Sequence, residues 1–160
     1  MGRREALRGL TSLEFAIVLA LIGTLAYFLL QSLLFMQGEA ERQAFEDNRA
    51  ALERAVSYEL MSRGTRGEAS GAAVLAGQDP FQWLHPEPLG WAGAYPTRGP
   101  LKPGAWYWDA RRGEVIYVPK DPARVRFTVK AQREIRLRLE VTGNSQARLL
   151  PVQPFAWQSG

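Results

Sequence analysis

The chain has 160 residues, a formal net charge of +4, a single His and no Cys. The absence of Cys excludes a disulfide, a thiol nucleophile and a thiolate metal site. After a leader and a membrane segment are set aside, about 100 residues remain, enough for one small α+β domain with a modest core.

Residues 1–9 carry Arg3, Arg4 and Arg8 against Glu5, a short basic leader that keeps the N-terminus on the cytoplasmic side. A lone carboxylate, Glu14, then opens an apolar run from Phe15 onward. A charge there needs a partner or water. Gly9, at the junction of polar and apolar sequence, precedes the apolar core, so cleavage after it would retain the hydrophobic segment. Processing would also place a cationic amine at Leu10, one helical turn from Glu14. That amine can pair with Glu14 of the same chain or of a neighbour.

Gly9, the four residues Leu10, Thr11, Ser12 and Leu13, and then Glu14 resemble the processing signature of type IV prepilin-like proteins, the family of pilins, minor pilins and type II secretion pseudopilins. The likeness covers roughly the first 35 residues. It implies cleavage between Gly9 and Leu10 by a membrane prepilin peptidase, N-methylation of Leu10, and assembly with other pilin or pseudopilin subunits on an inner-membrane platform. The protein is then expected in the inner membrane as a single-pass chain with a periplasmic head, and afterwards in a pilus or pseudopilus. The residue after the cut is usually Phe and here is Leu10.

The predicted membrane and polymerisation helix covers residues 10–36, and its stretch 15–36 would span about 33 Å of bilayer. Gly23 weakens its interior and marks either a hinge or close helix packing. Helical signal continues through residues 37–63 with an apolar stripe of Phe45, Leu52, Val56 and Leu60. Arg42, Glu46, Arg49 and Glu53 form a charge ladder beside it. The helix is expected to end at Gly64.

Residues 64–160 are read as the head. A loop over residues 81–104 alternates aromatics with Pro and Gly and is expected to cover one edge of a sheet. Antiparallel strands follow over about residues 105–153. Trp106 to Asp109 and Val115 to Val118 flank a turn with Gly113, a hairpin. Alternation predicts that Val125 to Val129 pairs with Ile135 to Val141 through a tight turn at Ala131 to Arg133. That register sets Lys130 against Glu134 and Arg124 against Glu140. It also sets Arg126 opposite Arg138, a like-charge pair offered as a contact point for an acidic surface of another subunit. Gln146 to Val152 supplies a last edge strand stopped by Pro151 and Pro154. The fold class is thus α+β and pilin-like, a long N-terminal helix packed on a small antiparallel sheet.

Residues 98–138 hold 11 Lys or Arg against four Asp or Glu, while residues 39–59 hold six acids against three Arg. Such a basic region suits neighbouring subunits, anionic lipid or nucleic acid. No HExxH, GxSxG or Gly-rich phosphate loop occurs, and no enzyme, cofactor or metal is expected. Asp109 and Glu114 are read as solvated acids beside the turn rather than a calcium site, and His85 as a loop hydrogen-bonder. The function expected is a noncatalytic filament subunit, a minor pilin. A type II secretion pseudopilin, a tip module capturing DNA or glycan through the aromatic loop and the basic strands, with Arg111 and Arg112 beside Arg126 and Arg138 as the basic contact surface, and an anchored envelope protein that never polymerises are the alternatives.

Overall fold

The computed structural model describes residues 11–69, 75, 77–129, 131–142 and 145–158. The chain forms two compact units, one ending at Gly38 and the other beginning at Glu39. One helix, α1, runs from Ser12 to Thr65.

In the first unit the side chains from Leu13 to Leu33 are exposed. This part reaches a mean hydropathy of 2.3, and α1 is, among the described residues, the one helix long and apolar enough to cross a membrane. Two of its polar side chains are satisfied locally. Thr24 Oγ1 donates to the Ala20 carbonyl at 2.8 Å, and Gln31 Nε2 donates to the Tyr27 hydroxyl at 2.9 Å. Such bonds lower the cost of carrying polar side chains through hydrocarbon.

The helix ends later than Gly64. Gly67 donates its N–H to the Gly64 carbonyl at 3.2 Å and Glu68 to the Arg63 carbonyl at 2.9 Å. This pair of bonds is a Schellman motif, so Gly67 rather than Gly64 is the capping glycine.

In the second unit the expected stripe is fully inward: Phe45, Leu52, Val56 and Leu60 are all buried. Phe45 stacks on Trp106 at 5.3 Å between ring centroids and contacts Tyr117, Phe155 and Trp157. Leu52 joins Val115, Ile135, Leu137 and Leu149, and burying each such side chain contributes about 2 kcal/mol. Beside this stripe, Arg42 pairs with Glu39, and Arg49 with Glu46 and Glu53.

That core lies against a five-stranded sheet ordered β1-β2-β3-β5-β6. Its strands are β1 (Trp91–Ala94), β2 (Ala105–Asp109), β3 (Glu114–Val118), β5 (Ile135–Thr142) and β6 (Gln146–Pro151), with β4 (Val125–Phe127) and β7 (Phe155–Trp157) forming a separate two-stranded sheet. The expected β2–β3 hairpin forms, with Asp109 opposite Glu114. β1, drawn from the aromatic loop, does cover the edge of the sheet, but it runs parallel to β2, which makes the sheet mixed rather than wholly antiparallel. Gly90 begins this strand at φ +90°, where a Cβ would lie 2.4 Å from the Gly104 carbonyl oxygen. Its own carbonyl accepts the Trp106 N–H at 2.8 Å. The chain following β1 covers the other sheet face, so Tyr107 and Ile116 are also buried, beneath Tyr95 and Leu101.

The expected β4–β5 hairpin does not form. β4 pairs with β7, placing Arg126 opposite Ala156, while β5 inserts between β3 and β6, placing Arg138 opposite Glu114. This arrangement brings Phe155 and Trp157 onto Phe45 and replaces a like-charge pair by an ion pair. Arg124 accordingly pairs with Asp121, not Glu140, and Lys130 lies outside the described residues. β6 is the edge strand anticipated from the sequence, but Pro154 is followed by β7 rather than by the end of ordered pairing.

Candidate functional site

At the start of α1, Thr11 donates its backbone N–H to Glu14 Oε2 at 2.8 Å and its hydroxyl to the same oxygen at 3.0 Å. The Glu14 N–H returns a bond to Thr11 Oγ1 at 3.3 Å. This is a capping box, and its Thr-x-x-Glu spacing was readable in the sequence. Glu14 is therefore held over the first turn of an exposed apolar helix, facing the end where Leu10 precedes it in the chain. Gly9 and Leu10 lie outside the described residues. A Cβ on Gly23 would meet nothing within 4 Å, so no packing within this chain requires a glycine there. The Thr24 hydroxyl bond in the same turn is of a kind that loosens or bends helices.

The second group of polar contacts fastens α1 to the sheet. Glu41, itself buried, accepts the Tyr117 hydroxyl at 2.8 Å and the Lys120 N–H at 2.7 Å. Burial, reinforced by the hydrogen bond to Glu41, pushes the Tyr117 hydroxyl pKa upward. Glu53 accepts the Leu149 N–H at 2.7 Å and Ser57 Oγ the Ala147 N–H at 2.9 Å. These amides lie on the side of β6 that faces away from β5. The next residue of that parity is Pro151, which has no N–H, so the outer edge of β6 leaves no donor idle at these three positions.

The third group surrounds the β2–β3 hairpin. Glu114 is buried and Asp109 nearly so, contrary to the solvated acids expected beside a turn. The cause is Arg136. Its guanidinium bonds Glu114 Oε2 at 3.0 Å and Glu134 Oε1 at 2.8 Å, lies 3.7 Å from Asp109 Oδ2, and sits 5.4 Å above the Tyr95 ring centroid. Tyr95 donates its hydroxyl to Glu134 at 3.1 Å, and burial, then the Glu134 charge, raises its pKa. Arg138 pairs with the other Glu114 oxygen at 2.9 Å. Arg136 was the residue that sequence reasoning passed over, because its partners are set only once β5 lies beside β3.

Of the four candidate basic residues, the structure brings together Arg111 and Arg112 with Arg138 near the hairpin, and places Arg126 on the other sheet. Asp109 Oδ1 accepts the backbone N–H groups of Arg111 and Arg112 at 3.1 and 3.3 Å, which leaves both side chains exposed. His85 is exposed in its loop. Among the described residues no group of three or more His, Cys, Asp or Glu is placed to hold a metal ion.

Comparison with known proteins yields no match: no protein-family model, no curated protein and no solved structure is similar to this chain. What stands from the structure is an α+β fold, with one long N-terminal helix, apolar in its first half, and a small mixed sheet against its second half.

Proposed function

We propose that the chain is a noncatalytic subunit of a type IV pilus or a related filament, a minor pilin, cleaved after Gly9 and assembled through its N-terminal helix. The observation that carries this reading is Glu14, a carboxylate at the mouth of an exposed apolar helix, held there by Thr11. A plain membrane anchor gains nothing from a charge at that depth. A polymerising helix does gain from it. Once Leu10 bears a free amine, Glu14 of the same or an adjacent subunit supplies the opposite charge, and only a subunit in correct register satisfies both.

In this reading the exposed apolar side chains from Leu13 to Leu33 meet lipid before assembly and other subunits afterwards. The prepilin peptidase, sister subunits and the inner-membrane platform are the partners, and the second unit is the periplasmic head. Mass spectrometry of the mature N-terminus tests the proposal. Leu10 as an N-methylated first residue is the expected result. A chain that retains its initiator segment in cells making the peptidase, or that is trimmed beyond Met36 and released, overturns it.

A further inference from the structure

The β2–β3 turn and the chain after β1 together present three exposed guanidinium groups. Arg111 and Arg112 are exposed at the β2–β3 turn, and Arg98 is exposed in the chain after β1. Among the described residues their side chains have no ion-pair or hydrogen-bond partner. All three line one hollow of about 690 Å³. A second hollow of about 380 Å³ adjoins the same tip, sharing Trp108, Ala110, Arg111 and Arg112 with the first and adding Arg138.

The walls between these cations are mixed, with Thr97 and the Asp109 carboxylate beside apolar side chains. Pro96 and Leu101 border the first hollow, Leu139 and Val141 the second. Arg136, on the floor of the first, is already engaged by Glu114 and Glu134, so a ligand meets Arg98, Arg111 and Arg112 instead. Three like charges around one hollow repel one another until an anion enters. Guanidinium groups are weakly hydrated and match carboxylate oxygens in pairs.

We propose that the first hollow is a trough for an extended acidic segment of a partner polypeptide, with carboxylates on Arg98, Arg111 and Arg112 and an apolar side chain against Pro96 and Leu101. Single-stranded nucleic acid fits less well, because it needs open ring faces for stacking. Trp108 is buried, and the Tyr95 ring is covered by Arg136 and edged by Tyr107. A small inorganic anion would use the cations and waste the walls. The assignment does not rest on filament assembly.

Fluorescence anisotropy on the full chain in nonionic detergent tests it, with a short labelled peptide of alternating Glu and Leu as probe. A Gln-and-Leu peptide and an oligothymidylate are the comparison ligands. The Glu peptide is expected to bind roughly tenfold tighter than either, and Arg98→Ala/Arg111→Ala/Arg112→Ala to weaken it by about tenfold. Arg126→Ala/Arg148→Ala, which removes two exposed cations outside the trough, is expected to leave binding unchanged. No binding of the Glu peptide, equal binding of the Gln peptide, equal loss in both variants, or tighter binding of the oligothymidylate overturns the proposal. The three arginines are exposed, and Arg111→Glu alone, expected to weaken binding while thermal unfolding stays as in the parent, guards against a folding artefact.

Discussion

Tyr117 donates its hydroxyl to Glu41 at 2.8 Å, and the same carboxylate oxygen takes the Lys120 N–H, so one buried acid of α1 fixes both the end of β3 and the chain leaving it. Removing the hydroxyl leaves that buried oxygen with the Lys120 N–H as its remaining donor. Tyr117→Phe is expected to cost about 1–3 kcal/mol, and Glu41→Ala at least as much because two donors lose their partner. Denaturant unfolding of the two single variants and the double variant measures the coupling.

The same pair sets a pH dependence. The folded state holds the Tyr117 proton more tightly than the unfolded chain, whose phenol titrates near pH 10. The stabilisation is complete below that value and falls as pH rises above it, since the unfolded chain ionises first. Unfolding measured from pH 8 upward should show a steeper loss in the parent than in Tyr117→Phe. Parallel curves would refute the linkage.

Glu53 and Ser57 close the outer edge of β6 with side chains of a helix rather than with another strand. Glu53→Ala and Ser57→Ala are each expected to cost about 1–2 kcal/mol, since each leaves a half-buried amide without an acceptor. Hydrogen exchange should accelerate at Leu149 in the first variant and at Ala147 in the second, with the β2–β3 hairpin unaffected.

Gly90→Ala is expected to destabilise the head by about 1–3 kcal/mol or more, because the new Cβ would fall on the Gly104 carbonyl at a left-handed backbone angle. Gly93→Ala tests the two contributions apart. It shares the positive φ, at +85°, but a Cβ there meets nothing within 4 Å. The smaller loss should therefore fall on Gly93→Ala, as read by thermal unfolding.

At the helix start, Glu14→Ala is expected to leave membrane insertion intact and abolish incorporation into filaments, measured by immunoblot of sheared filaments against membranes. Thr11→Val removes one of the two bonds that aim Glu14 but keeps the backbone one. Incorporation should fall several-fold without vanishing. Equal incorporation of Glu14→Ala and the parent would exclude the pairing role.

Local patterns were legible in the sequence and long-range partners were not. The stripe Phe45, Leu52, Val56 and Leu60 and the β2–β3 hairpin follow from spacing within one element or across one turn. The partner of β4 could not be found this way, because alternation in Val125 to Phe127 fits β5 and β7 equally well, and β7 is only three residues long and follows two prolines. For the same reason Arg136 read as an outward, solvated residue of an alternating strand. Its burial depends on Glu114 across the sheet, which no local window contains. The Thr11 and Glu14 capping box, by contrast, lies wholly within one four-residue window.

Phe45 waits for Phe155 and Trp157, which belong to the last strand of the chain. Trp106 and Tyr117, earlier in the chain, already cover part of that ring, so β7 supplies the contacts of longest sequence separation and completes the aromatic cluster after the strands before it. Loss of β7 would therefore be felt in the aromatic core beneath α1, at the face of Phe45 that Phe155 and Trp157 cover, and not only at the edge of β4.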